Sequence, residues 1–156
     1  MKIRLITVGK LKEKYWTDAA GEYAKRLSRF CTLEQIELAD RKIPANASDA
    51  ECEKILADEG EEILKKIGGR KFIALCIEGR SMDSESFAKM VEQSKMQGEM
   101  TFVIGSSMGL SDKVKAAADG KISFSPMTFP HQMAKIILLE QIYRAYKINS
   151  NEKYHK

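Results

Sequence analysis

Short apolar runs alternate with longer segments of helical periodicity along the whole chain, and this limits the possible folds more than any other feature. Residues 2–8 (KIRLITV) are rich in Ile, Leu and Val and stop at Gly9, the pattern of a strand feeding a turn. A helix is expected next, because Trp16, Ala19, Ala20, Tyr23, Leu27 and Phe30 recur at helical spacing. Residues 32–38 are two-faced, with Leu33, Gln35 and Glu37 against Glu34, Ile36 and Leu38, as in a strand near a sheet edge. Pro44 and Asn46 mark 40–47 as a loop. Ser48 and Glu51 form a capping-box signature ahead of the stripe Cys52, Ile55, Leu56, Gly60, Ile63, Leu64 and Ile67, and Gly68 and Gly69 close that helix. Residues 71–77 are almost continuously apolar, the mark of a strand covered on both faces, and Glu78 and Gly79 end it. A helix over 83–97 stops at Gly98, and 100–105 forms a second buried strand. The order predicts an α/β layer architecture, a mainly parallel sheet flanked by helices, as one domain over 1–156. Function then belongs at the carboxyl ends of the strands.

Composition narrows the class. The three cysteines, Cys31, Cys52 and Cys76, are widely spaced and form no C-x-x-C pair, so neither a disulfide framework nor a zinc cage is expected. A reducing cytoplasm follows as the expected location. The first residues carry too short an apolar core for a signal peptide, and no run approaches the roughly 18 apolar residues of a membrane span. The net charge of +4 is unevenly placed: residues 1–104 hold 18 basic and 18 acidic side chains, residues 105–156 hold 8 and 4. A local basic surplus suits an anionic partner, although a solvated face explains it equally well.

Three loops follow the most apolar strands and are the candidate ligand site: 77–79, 104–110 and 123–131. The second matches neither G-x-G-x-x-G nor the P-loop pattern, so the dinucleotide and nucleoside-triphosphate readings both fail. Taken alone, Gly105 and Gly109 read as a tight strand-to-helix turn, with Ser111 and Asp112 starting the helix. The third loop places Phe124, Pro126, Met127, Phe129 and Pro130 where a hydrophilic turn is usual, and either contacts a ligand or folds onto the core. The helix over 131–148 is apolar at four successive positions, 136–139, which go around its whole circumference; a second subunit is the expected outer cover. Acid–base candidates near these loops are His131, His155, Glu140 and Asp112. No Ser/His/Asp set or carboxylate cluster with metal spacing is visible, and Cys76 reads as an inert core residue.

The segments FVIG at 102–105, GLS at 109–111, ISFS at 122–125, MTFPHQ at 127–132, EQIYRA at 140–145 and YHK at 154–156, together with VGKLKEKYW at 8–16, carry a resemblance over the whole chain. The sequence resembles the RlmH family of ribosomal RNA large-subunit methyltransferases, of the SPOUT class. The resemblance implies a carboxyl-terminal trefoil knot that binds S-adenosylmethionine, against the general rule that chains do not thread. It implies methylation of N3 of a pseudouridine in large-subunit ribosomal RNA, by a homodimer acting on assembled ribosomes, without metal or membrane. By motif, the cofactor residues are Leu75, Gly105, Phe124, Ser125, Pro126, Met127, Thr128 and Phe129, and the catalytic residues are Arg144, Tyr154 and His155, the last two reaching the partner subunit's site. Ser106 stands where the family often has a second glycine, and Lys135 where it often has arginine. A non-catalytic ribosome-associated protein keeping the fold is the alternative; a hydrolase or phosphotransferase lacks its nucleophile or P-loop.

Overall fold

Residues 3–8 are buried on both faces, which makes the first strand, β1 (Lys2–Val8), an interior strand of the sheet. The computed structural model describes residues 1–154, so His155 and Lys156 lie outside the described residues. β2 (Thr32–Leu38) pairs with β1 in parallel from Lys2↔Thr32 to Val8↔Leu38. β4 (Glu99–Ile104) pairs with the other side of β1, β3 (Ile73–Ser81) with β4, and β5 (Gly120–Ser123) with β3. The order is β2-β1-β4-β3-β5 with every pairing parallel, and β2 takes the edge that its two-faced pattern predicts.

Helices α1 (Lys14–Leu27), α2 (Asp49–Ile67), α3 (Ser84–Ser94), α4 (Asp112–Ala117) and α5 (His131–Asn149) cover both faces. On one face α1, α3 and α5 bury Leu27, Phe87, Leu138, Leu139 and Ile142 against Ile3, Leu5 and Phe102. On the other, α2 and α4 bury Ile63, Ile67 and Val114 against Ile6, Val8 and Val103. The neighbouring strands β1 and β4 therefore send their connections to opposite faces. The α2 capping box is present: Ser48 Oγ accepts from the Glu51 amide at 3.2 Å, the Ser48 amide donates to Glu51 Oε2 at 2.7 Å, and Gly68 closes the helix in the left-handed region.

Four expectations shift. Glu78 and Gly79 do not end β3, which runs on to Ser81 after a register break between Leu75 and Arg80. Gly79 makes this possible, since a Cβ there would lie 2.3 Å from the carbonyl carbon of Ile122. The end of the 71–77 run is open rather than covered, with Ile77 52% exposed at the exit of the sheet. Phe30 lies beyond α1, in the turn that follows it, and stacks on Tyr146 with ring centroids 5.4 Å apart. The stretch 95–97 is a 3-10 turn rather than a continuation of α3. No residue of α5 is fully exposed, and Leu138 and Leu139 belong to this chain's own core.

Candidate functional site

A cavity of about 650 Å³ opens at the carboxyl ends of β3, β4 and β5. Three stretches of backbone wall it: Leu75 to Glu78 from β3, 104–110 after β4, and 123–131 after β5. Leu75, Gly105, Phe124, Ser125, Met127, Thr128 and Phe129 all line it; Pro126 does not.

The 105–110 loop folds back on itself. The Gly109 amide donates to the Ser106 carbonyl at 2.9 Å, Gly109 has φ +83, and a Cβ on Gly105 would lie 2.1 Å from the Gly109 oxygen. Gly105 is thus required by the chain's own backbone. Ser111 then caps α4, accepting from the Val114 amide at 3.3 Å. Ser106 has no positive φ, so the position asks for no glycine. Its hydroxyl instead donates to Glu59 Oε2 at 2.8 Å and accepts from the Met108 amide at 3.4 Å. Glu59 is 3% exposed, and its other oxygen accepts from the Arg41 amide at 3.2 Å. The sequence reading missed Glu59, although a carboxylate beside Gly60 and between Leu56 and Ile63 of an apolar helical stripe was the available signal.

In the apolar loop, Ser123 Oγ donates to the Ser125 carbonyl at 3.0 Å and Ser125 Oγ accepts from the Met127 amide at 3.0 Å. These contacts hold Phe124 inward, against the core, and leave Met127 73% exposed at the rim. His131, the first residue of α5, lines the cavity and packs against Gly9, where a Cβ would lie 2.8 Å from its Nε2. Also unforeseen is an ion pair at the wall: Lys115 Nζ donates to Glu78 Oε1 at 2.9 Å and lies 3.2 Å from Asp112. The Lys115 ammonium holds the Glu78 carboxyl below its usual range. Cys76 lines the cavity instead of lying in the core, and burial, with the neighbouring Glu78, pushes its thiol up.

Arg144 and Tyr154 form a separate cluster. Arg144 donates to Glu140 Oε1 at 2.7 and 3.0 Å, and the Tyr154 hydroxyl donates to the same oxygen at 3.3 Å. The guanidinium lies 4.8 Å from the Tyr154 ring centroid, and the Tyr154 ring meets Tyr143 edge-on at 5.0 Å. Arg144 is thirteen residues along α5 from His131, roughly 20 Å, so one chain does not bring this cluster to its own cavity. His155 lies outside the described residues. Lys135 is 3% exposed and donates to Glu37 Oε1 at 2.8 Å, a structural pair under the end of β2. Among the described residues, no group of three His, Cys, Asp or Glu side chains is placed to hold a metal ion, and no helix is long and apolar enough to cross a membrane.

Comparison with known proteins gives a consistent picture. Residues 1–155 match the family model described as "Predicted SPOUT methyltransferase". The ribosomal RNA large subunit methyltransferase H of Streptococcus thermophilus is 55% identical, that of Streptococcus agalactiae 53% and that of Leuconostoc mesenteroides 50%, each over 100% of both chains. Among solved structures, a probable methyltransferase from Bordetella pertussis superposes with a TM-score of 0.54 at 11% identity, covering 92% of this chain and 95% of that one. A tRNA methyltransferase from Aquifex aeolicus gives 0.54 at 12% identity, covering 92% and 70%. These two likenesses bear on the fold, and they agree with a parallel sheet flanked by helices. Methyltransferases of this kind ordinarily take the methyl group from S-adenosylmethionine. With its full-length family match and relatives at half identity or better, the chain belongs to the SPOUT methyltransferases, in the ribosomal RNA large subunit methyltransferase H family.

Proposed function

We propose that this chain, as one SPOUT domain with a trefoil-knotted carboxyl-terminal half, methylates N3 of a pseudouridine in large-subunit ribosomal RNA, acting on assembled ribosomes as a cytoplasmic homodimer. The observation that carries the reading is the cavity itself. It gathers Leu75, Gly105 and five of the six residues of 124–129 at the strand ends, in a chain whose relatives bear that enzyme name.

The cavity suits S-adenosylmethionine in size and chemistry. About 650 Å³ falls within the usual range for a small-molecule site. Leu75, Ile104, Leu110, Phe124 and Phe129 offer a dry wall for a purine, the loop backbones supply donors and acceptors, and Glu78 supplies a carboxylate for hydroxyl groups or a cationic centre. When bound, the cofactor supplies an electrophilic methyl group on a sulfonium. The protein's task is then to hold the acceptor nitrogen in line and to take away the N3 proton. Arg144 and Tyr154, remote from their own cavity, serve the partner's cavity across the α5 interface. There the guanidinium stabilises the anion that forms as the proton leaves. His155 is the candidate base, with direct loss of the proton to water as the other route. A non-catalytic ribosome-binding protein would have no use for the tied loops that keep this cavity open.

Methyl transfer from labelled S-adenosylmethionine to assembled ribosomes, free large subunits and naked ribosomal RNA tests the reading. Transfer to the assembled particle, mapped to N3 of one pseudouridine, is expected; no transfer to any of the three, or equal transfer to naked RNA, overturns it.

A further inference from the structure

Several basic side chains of residues 105–156 are already paired within the chain, three of them in half-buried or buried pairs. Lys135, Arg144 and Lys147 pair with Glu37, Glu140 and Glu152, their side chains 4, 25 and 12% exposed. Lys113 and Lys115 pair with Glu61 and with Glu78 and Asp112. The buried and half-buried pairs leave those cations little freedom to meet an RNA, so exposed cations near the cavity matter more.

The β1–α1 segment supplies them. It leaves the sheet at Gly9, against the cavity residue His131. Leu11 packs onto the core and anchors the segment, while Lys10, Lys12, Lys14 and Tyr15 project outward. The Lys12 and Lys14 side chains are 67 and 87% exposed, and their contacts to Asp40 at 3.9 Å and Asp18 at 2.5 Å are surface pairs, weak and screened by salt. Tyr15 is 64% exposed, with its ring centroid 5.1 Å from that of the half-buried Trp16. The first turn of α1 carries no acidic residue. The arrangement is a short row of exposed ammonium groups ending on a supported aromatic ring.

We propose that Lys10, Lys12, Lys14 and Tyr15 form an RNA-docking strip beside the cavity, taking unpaired nucleotides that flank the acceptor base. This rests on the reading above that the substrate is ribosomal RNA. Exposed ammonium groups attract backbone phosphates, and an exposed ring offers a stacking platform that accepts any base. The strip thus contributes affinity and placement, while base identity is read in the cavity. A protein partner or a second copy of this chain is the competing occupant.

The test uses the full-length protein with the triple variant Lys10→Gln, Lys12→Gln, Lys14→Gln and, separately, Tyr15→Ala. Methyl transfer to ribosomes is followed across a salt series, cofactor affinity by calorimetry, and oligomeric state by sedimentation. For the triple variant, the strip requires KM for ribosomes to rise about tenfold or more, with kcat within twofold and cofactor affinity unchanged. The slope of log affinity against log salt should fall by about two, from roughly 0.7 per phosphate contact. Tyr15→Ala should raise KM by about fivefold or more. Unchanged KM and slope, or a loss that tracks a change in oligomeric state, overturns the strip. If the unmutated protein transfers no methyl group, the enzymatic reading fails separately; the strip is then read by cosedimentation with large subunits, where the triple variant must bind at least about fivefold more weakly.

Discussion

The Ser106 hydroxyl donates to the Glu59 carboxylate at 2.8 Å and so ties the cavity loop to α2 on the face behind it. Both groups are buried, with Ser106 at 9% and Glu59 at 3% exposure, and Arg41 supplies only one backbone amide to the other carboxylate oxygen. Ser106→Ala therefore leaves the buried Glu59 Oε2 without its donor, at a cost of about 1–3 kcal/mol. Urea unfolding should show that loss, and calorimetry should show weaker S-adenosylmethionine binding as the loop loosens. Wild-type values in both would mean that the contact is incidental.

Gly105 and Gly109 separate two reasons for glycine in one loop. At Gly105 an added methyl group would strike the Gly109 backbone at 2.1 Å, so Gly105→Ala has to open the turn and should abolish cofactor binding. At Gly109 nothing lies within 4 Å, and only its φ of +83 resists a side chain. Gly109→Ala should cost about 1–3 kcal/mol while keeping measurable binding. Equal losses in the two variants, measured by calorimetry and thermal melting together, would refute the distinction.

How far the sequence revealed these features depended on whether a neighbour in space was needed. Periodicity was sufficient for β1, the edge strand β2 and the α2 capping box, because each is decided by residues within one segment. It failed at Glu78 and Gly79, where a turn-like pair continues β3 only because Gly79 lies against Ile122 of β5. The cavity walls were legible as loops after strands, and the resemblance supplied most of the lining. Glu59, Glu78 with Lys115, and the fit of His131 against Gly9 were not, since each joins residues from elements distant in sequence. The basic surplus of the last third was legible as a count, but its pairing with Glu37, Glu61 and Glu78, all from the first two thirds, was not.

Cys31 lies beside Tyr146 of α5, and burial raises the pKa of both; the Cys31 thiol adds to the rise at Tyr146, whereas Tyr146 partly offsets the rise at Cys31. Groups whose folded-state pKa exceeds the unfolded value contribute stability that is complete below the unfolded pKa. For the thiol that is below about pH 8.5, and the contribution is lost as pH rises toward the folded value. The urea midpoint should fall between pH 8 and pH 10.5, and the fall should be shallower in Cys31→Ala. Parallel pH profiles for the two proteins would contradict this.

The outer face of α5 distinguishes a subunit interface from a core. Leu139 is fully buried among Ile3, Leu5 and Phe102 of its own chain, whereas Met133 and Ile137 are half-buried one turn apart and pack into neither core cluster. An Asp in the core leaves a charge with no partner, so Leu139→Asp should fail to fold and gives no information on assembly. Ile137→Asp should keep its circular-dichroism spectrum and cofactor affinity yet sediment as a monomer. If Arg144 and Tyr154 serve a partner's cavity, as proposed, that monomer should also lose methyl transfer by at least about a hundredfold. Its activity should return in mixtures only where one member supplies an intact interface. A folded Ile137→Asp protein that remains dimeric, or a monomer that methylates ribosomes at the normal rate, would remove α5 from the interface or remove the need for two chains.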